Sequence, residues 1–365
     1  MKYTRMPIEI ESPEQMGYDN VRYNLTESSV SDQVLQTLDI SISNLKLAYS
    51  DHCGIPELRN IIAQPHKLTA EDILITQGAA SALFIVATSL LSKDDHILVM
   101  HPNYATNIET PKAIGCEIDF IKLKFENKFK PDFESIKSQI KSNTKLISIT
   151  TPHNPTGMTL TEEELMQFVE LAEQHNCYLL VDETYRELVF NKPTTLAACL
   201  SSKVISVSSL SKAYGLPGLR MGWLITKNQK LQELFLAAKE QIFLTNSVLD
   251  ETIAFKFLQK QESFLPHIQE RNKQHFDIVK KFMKTEKRLE WIEPTGGVVC
   301  YPRIVPMVSV ELFYQTLNNM YFTYVGPGHW FDMNKEFFRI GYAWPTTADL
   351  KAGLSNISQA LNVIG

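Results

Sequence analysis

The chain of 365 residues is 44% hydrophobic and 21% charged, which supplies a packed core and excludes a disordered, collagen-like or disulfide-scaffold protein. Its 36 lysines and arginines against 41 aspartates and glutamates give a net charge of −5, so neither a nucleic-acid nor an anionic-membrane partner is expected. Five scattered cysteines without a C-x-x-C, and nine histidines without H-x-x-x-H spacing, argue against a disulfide framework or a metal site and for a reduced, cytoplasmic protein.

Residues 1–12 alternate apolar with charged side chains and lack the apolar stretch of a secretory signal, and the longest apolar run, 83–91, is too short to span a bilayer. From residue 73 onward, short β-branched runs alternate with helical patterns. Segments 73–76, 97–100, 117–123, 146–150, 178–181, 204–208 and 221–226 read as strands, with helices at 79–91 and 162–175 among them. Thr161, with Glu164 three residues on, marks a capping box at the start of the second helix. This alternation predicts an α/β domain on a mostly parallel seven-stranded sheet flanked by helices, with its ligand site at the C-terminal ends of the strands. After Gln229 long helices take over, followed by short strands near 298–301 and 337–340 and a helix after Pro345. We read a large domain over residues 41–264 and a smaller α+β domain from residues 1–40 and 265–365.

The loops after the strands carry the chemistry. Gln77-Gly78-Ala79-Ala80-Ser81 opens a helix with small residues that let backbone N–H groups approach an anion, although any strand-to-helix turn looks alike. In Thr151-Pro152-His153-Asn154-Pro155-Thr156-Gly157 two prolines freeze a turn and aim the Asn154 amide at the sheet edge. Asp182-Glu183-Thr184-Tyr185 puts a carboxylate directly after an apolar strand. A buried carboxylate calls for a cation, and a protonated pyridine nitrogen would be one. Ser209-Leu210-Ser211-Lys212, running on through Gly215 and Gly218 to Arg220, sets a lysine among hydroxyls and glycines at a strand end. Burial or positive neighbours lower the pKa of such a lysine and let it condense with an aldehyde cofactor, while Ser209 and Arg220 suit a phosphate. Taken alone, the same run also fits a surface lysine in a glycine-containing turn.

Taken together, Asn-Pro-Thr-Gly at 154–157, Asp-x-x-Tyr at 182–185 and Ser-x-Ser-Lys with its following arginine at 209–220 resemble the class I/II pyridoxal-phosphate-dependent aminotransferases of fold type I, over about residues 49–339. The resemblance implies pyridoxal 5′-phosphate as cofactor and a ping-pong transfer of an amino group from an L-amino acid to a 2-oxo acid. It implies that Lys212 bonds the cofactor aldehyde and shuttles the proton, and that Asp182 keeps the ring nitrogen protonated. Asn154 and Tyr185 would hold the ring's 3′ oxygen, and Gly78, Ala79, Ala80, Ser209 and Arg220 would form the phosphate cup. Tyr104 matches the aromatic that stacks on the ring, or else is a core aromatic at a strand end. Arg339, in Phe337-Phe338-Arg339-Ile340-Gly341-Tyr342, matches the arginine that grips the substrate α-carboxylate, or else makes a structural ion pair. Tyr49, ahead of Gly54-Ile55-Pro56-Glu57-Leu58-Arg59, is similar to the tyrosine that reaches the cofactor phosphate of a neighbouring subunit. That match implies a homodimer with shared active sites; packing within its own chain is the other reading.

The chain also departs from the family pattern. Asn24-Leu25-Thr26-Glu27 stands where many members carry a glycine pair, and is similar to the Leu-x-Glu-Asn version of histidinol-phosphate-type aminotransferases. Glu27 there would meet a basic or hydroxylated substrate side chain, or else is an exposed capping residue. His329 and Trp330, after Gly326-Pro327-Gly328, line a specificity pocket, or else Trp330 fills the domain interface. His153 has no assigned role, and no second arginine is recognisable for a distal carboxylate. The lack of G-x-G-x-x-G after a first strand argues against a dinucleotide-binding dehydrogenase. The same constellation serves PLP-dependent lyases and specialised biosynthetic enzymes that eliminate, decarboxylate or replace at an amino acid, because the cofactor carries the electronics.

Overall fold

Strands that are apolar on both faces need cover on both. In the computed structural model, which describes residues 1–305 and 309–364, the strands are β1 (Tyr23–Leu25), β2 (Ile73–Thr76), β3 (His96–His101), β4 (Glu117–Lys122), β5 (Thr144–Thr150), β6 (Tyr178–Asp182), β7 (Val204–Ser209), β8 (Gly222–Ile225), β9 (Leu289–Glu290), β10 (Val299–Cys300), β11 (Arg303–Ile304), β12 (Thr323–Pro327) and β13 (Phe338–Gly341). Seven of them form one sheet in the order β2-β8-β7-β6-β5-β3-β4. Alternate residues divide between two cores. Leu98, Ile147, Leu179 and Val181 pack with Leu165 and Phe168 on one face, while Ile97, Val99, Leu146 and Leu180 pack with Leu83 and Val86 on the other.

The helix Glu162–Gln174 covers the first face. Its capping box is formed, with Glu164 N donating to Thr161 Oγ1 at 3.1 Å and Thr161 N donating to Glu164 Oε2 at 2.9 Å. The fully buried Phe168 alone contributes about 2–3 kcal/mol through the area it removes from water. Gly78–Leu90 covers the second face. All neighbours in the sheet are parallel except β8, which follows β7 through the loop of residues 210–221 and runs antiparallel to both β7 and β2. The chain passes from β3 outward to β4 and returns on the other side of β3 as β5, so a crevice opens between the loops after β3 and β5.

A second sheet, in the order β1-β12-β13-β10, has β1 parallel to β12 and pairs the two ends of the chain. The helix Thr347–Ile364 buries Leu350, Leu354, Ile357 and Leu361, a stripe at helical spacing. The strands expected near 298–301 and 337–340 are present as β10 and β13. Four more, β1, β9, β11 and β12, were not expected. Two of these have only two residues, β12 ends in Gly326-Pro327, and β1 is three residues whose partner lies near the other end of the chain.

Candidate active site

The C-terminal ends of β2, β3, β5, β6 and β7 lie along one edge of the large sheet, and the loops that follow them line a cavity of about 350 Å³. At one end of it the helix Gly78–Leu90 begins with no side-chain cap, and the first-turn residues Ala79 and Ala80 line the cavity with their N–H groups uncommitted within the helix. Gly78 itself has φ +76°, and a Cβ there would sit 2.7 Å from Arg220 Nη2. A Cβ on Gly222 would collide with the Gly78 backbone, so two glycines let this helix start approach β8 and the arginine. Arg220, Ser209 and Ser211 face the same space; Arg220 Nη1 donates to the Pro217 carbonyl at 3.0 Å, and Ser211 N donates to Ser209 Oγ at 3.3 Å. A helix N-terminus, two hydroxyls and a guanidinium make a cradle for a phosphate.

At the end of β6, Asp182 is buried, and its Oδ1 accepts from Thr184 N at 3.0 Å and Thr184 Oγ1 at 2.6 Å. No salt bridge reaches it among the described residues, and burial pushes its carboxyl above the usual range. Lys212, after β7, is partly buried in the same cavity, forms no salt bridge among the described residues, and has its ammonium pulled down by burial. On β13, Arg339 is only 3% exposed; Nη1 donates to Asn154 Oδ1 at 3.0 Å, Nη2 donates to the Thr26 carbonyl, and Nε has no partner. Phe331 lies beneath the guanidinium, its ring centroid 5.0 Å from Cζ.

The model for aminotransferase class I and II matches residues 19–357. The chain belongs to this family. The aspartate aminotransferase of Pyrococcus horikoshii is 28% identical over 86% of this chain and 83% of its own length. The capreomycidine synthase of Streptomyces vinaceus is 27% identical over 79% of this chain and 74% of its own. A PLP-dependent aminotransferase from Streptococcus suis superposes with a TM-score of 0.92 at 26% identity, covering 100% of this chain and 99% of the other. This chain is therefore a PLP-dependent aminotransferase of fold type I. The residues present fit the cofactor: a phosphate would lie in the cradle at Ala79, Ala80, Ser209 and Arg220, a protonated ring nitrogen would pair the buried Asp182, and an aldehyde would meet Lys212.

Of the residues singled out in the sequence, this aminotransferase brings Ala79, Ala80, Tyr104, Asn154, Asp182, Tyr185, Ser209, Lys212, Arg220, Arg339 and Glu27 to one cavity, with Gly78 just behind it. Tyr185 is buried and its hydroxyl donates to the Ser28 carbonyl at 2.8 Å. Tyr104 is 39% exposed, so it is not a core aromatic. Tyr49 is 85% exposed and is not brought to the cavity within one chain, nor is it packed in its own core. Glu27 is not an exposed cap: it is 8% exposed, and its Oε1 accepts from Tyr18 Oη at 3.2 Å and Asn24 Nδ2 at 3.3 Å. Arg339 makes no salt bridge among the described residues. Trp330 lines the cavity, and both it and His329 hold Glu11 Oε2, at 2.8 and 2.7 Å, which fastens the N-terminal segment across the mouth.

Sequence reasoning missed Thr26, Thr184, Phe331 and Asn103. Asn103 Oδ1 accepts from Tyr104 N, Asn107 Nδ2 and Thr150 Oγ1, while its Nδ2 is buried without a partner. Its place beside Tyr104 was the one available signal. The N-terminal residues Ile8, Glu9, Ser12 and Glu14 also line the cavity, brought there by tertiary packing that no local pattern announces.

His153 now has a role. Its Nε2 donates to the Pro102 carbonyl at 2.7 Å and its Nδ1 accepts from Thr156 Oγ1 at 2.8 Å, which ties the loop after β5 to the loop after β3 in the neutral tautomer. Burial pulls its pKa from 6.5 to about 4. The unfolded chain therefore takes up a proton that the fold excludes. The stability from this residue is complete above about pH 6.5 and is lost as pH falls toward 4. Between pH 7 and pH 5 the unfolding free energy is expected to drop by about 2 kcal/mol on account of His153. In denaturant titrations His153→Gln should lack that part of the drop; equal drops in both proteins would contradict it.

Proposed function

We propose that Lys212, Asp182 and Arg339 carry out transfer of an amino group between an L-amino acid and a 2-oxo acid, in two half reactions that share one cavity. What supports this is the convergence of an uncapped helix start, a buried carboxylate without a cation, a lysine of lowered basicity and a buried arginine on that cavity. When bound, the cofactor supplies an electron sink for the substrate's Cα. Arg339 orients the substrate: Asn154 and the Thr26 carbonyl hold its plane, leaving Nε and the remaining Nη hydrogens for an α-carboxylate. Lys212 would hold the cofactor aldehyde and, as a free amine, its Nζ would take up and give back the proton at Cα. Burial lowers the basicity of this amine, which favours the neutral form that such work needs. Asp182 would keep a proton on the ring nitrogen, Asn154 and Tyr185 would hold the ring's 3′ oxygen, and Trp330, Phe331 and Ile8, which line the cavity, would keep water from the reacting atoms. Initial rates at several donor and acceptor concentrations should give parallel double-reciprocal lines; intersecting lines would rule out the two-step cycle.

The same reading includes a homodimer in which Tyr49 of one protomer reaches the phosphate end of its partner's cavity. Tyr49 at 85%, Leu47 at 79% and Val34 at 62% exposure are apolar surface that a second copy would cover. Sedimentation should report twice 41.6 kDa, and Tyr49→Phe should weaken cofactor binding about tenfold without lowering the melting temperature. A monomer with full cofactor affinity would contradict this. A cytoplasmic location is supported by five free cysteines. Among the described residues no helix is long and apolar enough to cross a membrane.

A further inference from the structure

We propose that the preferred amino donor carries a positively charged side chain, an ammonium or a guanidinium, received between Glu27 and Glu14 in the same cavity. This rests on the assignment of Lys212, Arg220 and Arg339 above. Among the described residues the charged groups lining the cavity are those three cations and the carboxylates of Glu9, Glu14, Glu27 and Asp182. The cofactor and the α-carboxylate account for all three cations and for Asp182. Three glutamates remain, and no cation remains. A second carboxylate on the donor would meet like charge, and a neutral side chain would leave the buried Glu27 only the fields of Lys212 and Arg339, which the cofactor and the α-carboxylate engage, whereas a cation resolves both.

Two further observations point to a ligand there. Glu27 is more than nine-tenths buried, both of its hydrogen bonds fall on Oε1, and no salt bridge joins it to any cation among the described residues. Arg339, also more than nine-tenths buried, keeps Nε unpartnered beside it. The spacing between the two is fixed by the backbone. Arg339 Nη2 donates to the carbonyl of Thr26, the residue before Glu27, and a Cβ on Gly341 would collide with the Glu27 carbonyl, so residues 26–28 lie directly against β13. Glu14 comes from the N-terminal segment that Glu11 fastens to His329 and Trp330, and its field bears on both Glu27 and Arg339. An α-carboxylate at Arg339 thus directs the far end of the same molecule past Glu27 and under Glu14.

Acids without an α-amine test this without turnover: 6-aminohexanoate, 5-guanidinopentanoate, hexanoate and adipate, titrated into the cofactor-loaded enzyme and read by displacement of its visible band. The cationic acids should bind at least about tenfold tighter than hexanoate, with adipate weakest. Glu27→Gln should reduce the cation-to-neutral ratio about tenfold and Glu14→Gln severalfold. Glu14 is on the exposed N-terminal segment, so its variant tests the inference even where Glu27→Gln disturbs folding. Tightest binding by adipate, as a partner subunit's arginine would produce, or a ratio near one, or ratios unmoved in both variants, would overturn it. The amino acids separate the two readings. If norleucine or glutamate converts the enzyme while lysine and arginine do not, transamination stands and the cationic donor falls. If 6-aminohexanoate binds tightly but no amino acid gives up its amino group, the cation site stands and the roles given to Lys212 and Asp182 fall.

Discussion

Lys212→Ala is expected to reduce turnover at least about 10⁴-fold while leaving the fold intact. The substitution removes the amine placed to bond the cofactor aldehyde and to move the proton at Cα, and among the described residues no other lysine lines the cavity. It does not remove a structural contact of weight. Lys212 is partly buried, makes no salt bridge among the described residues, and holds its charge at a cost that shows as a lowered pKa. The melting temperature of the cofactor-free variant should therefore equal or exceed that of the parent protein. Noncovalent cofactor should still bind through the cradle at Ala79, Ala80, Ser209 and Arg220, giving the spectrum of a free aldehyde. Turnover within tenfold of the parent would remove Lys212 from the mechanism.

Asp182→Asn is expected to cost about 10²–10³ in kcat/KM and to weaken cofactor binding, yet not to destabilise the cofactor-free protein. Asparagine keeps the oxygen that accepts from Thr184 N and Thr184 Oγ1, so the local hydrogen bonds survive. What it loses is the negative charge. In the cofactor-free chain that charge is buried without a counter-ion, and its folded pKa is raised; with the unfolded pKa lower, the ionised form at neutral pH opposes folding, and neutralising it opposes folding less. A merely structural aspartate would behave the other way, with the melting temperature falling and kinetics changing little. Activity and unfolding measured on the same preparation separate the two.

The large sheet was legible because most of its strands are runs of four to seven residues rich in buried β-branched and other apolar side chains, with turn residues between them. The apolar runs at 73–76 and 204–208 coincide with β2 and β7 to within a residue, since burial on both faces leaves no other use for Ile73-Leu74-Ile75 or Val204-Ile205. The small sheet was half legible. β1 and β12 pair ends of the chain that are far apart in sequence, and two to five residues carry too little periodicity to announce a strand. Motif residues at strand ends converge on one cavity because a parallel sheet sends the C-terminal ends of its strands to one edge. Glu9 and Glu14 could not be anticipated, because the short helices at 7–11 and 13–16 reach the cavity through tertiary contacts, among them Glu11 with its two partners and Ile8 against the core. Tyr49 stands outside what one chain decides, because its expected contact is with a second copy.

The central claim, that this cavity runs a two-step amino transfer through Lys212, is tested most directly by the visible spectrum of the cofactor-loaded protein as single amino acids are added without any 2-oxo acid. The account predicts that a donor converts the absorbance of the lysine-bound aldehyde form to that of the amine form, with one equivalent of 2-oxo acid released per site, and that adding a 2-oxo acid restores the original band. Release of ammonia or carbon dioxide with the original band regenerated would contradict it, and would assign the same fold to elimination or decarboxylation instead.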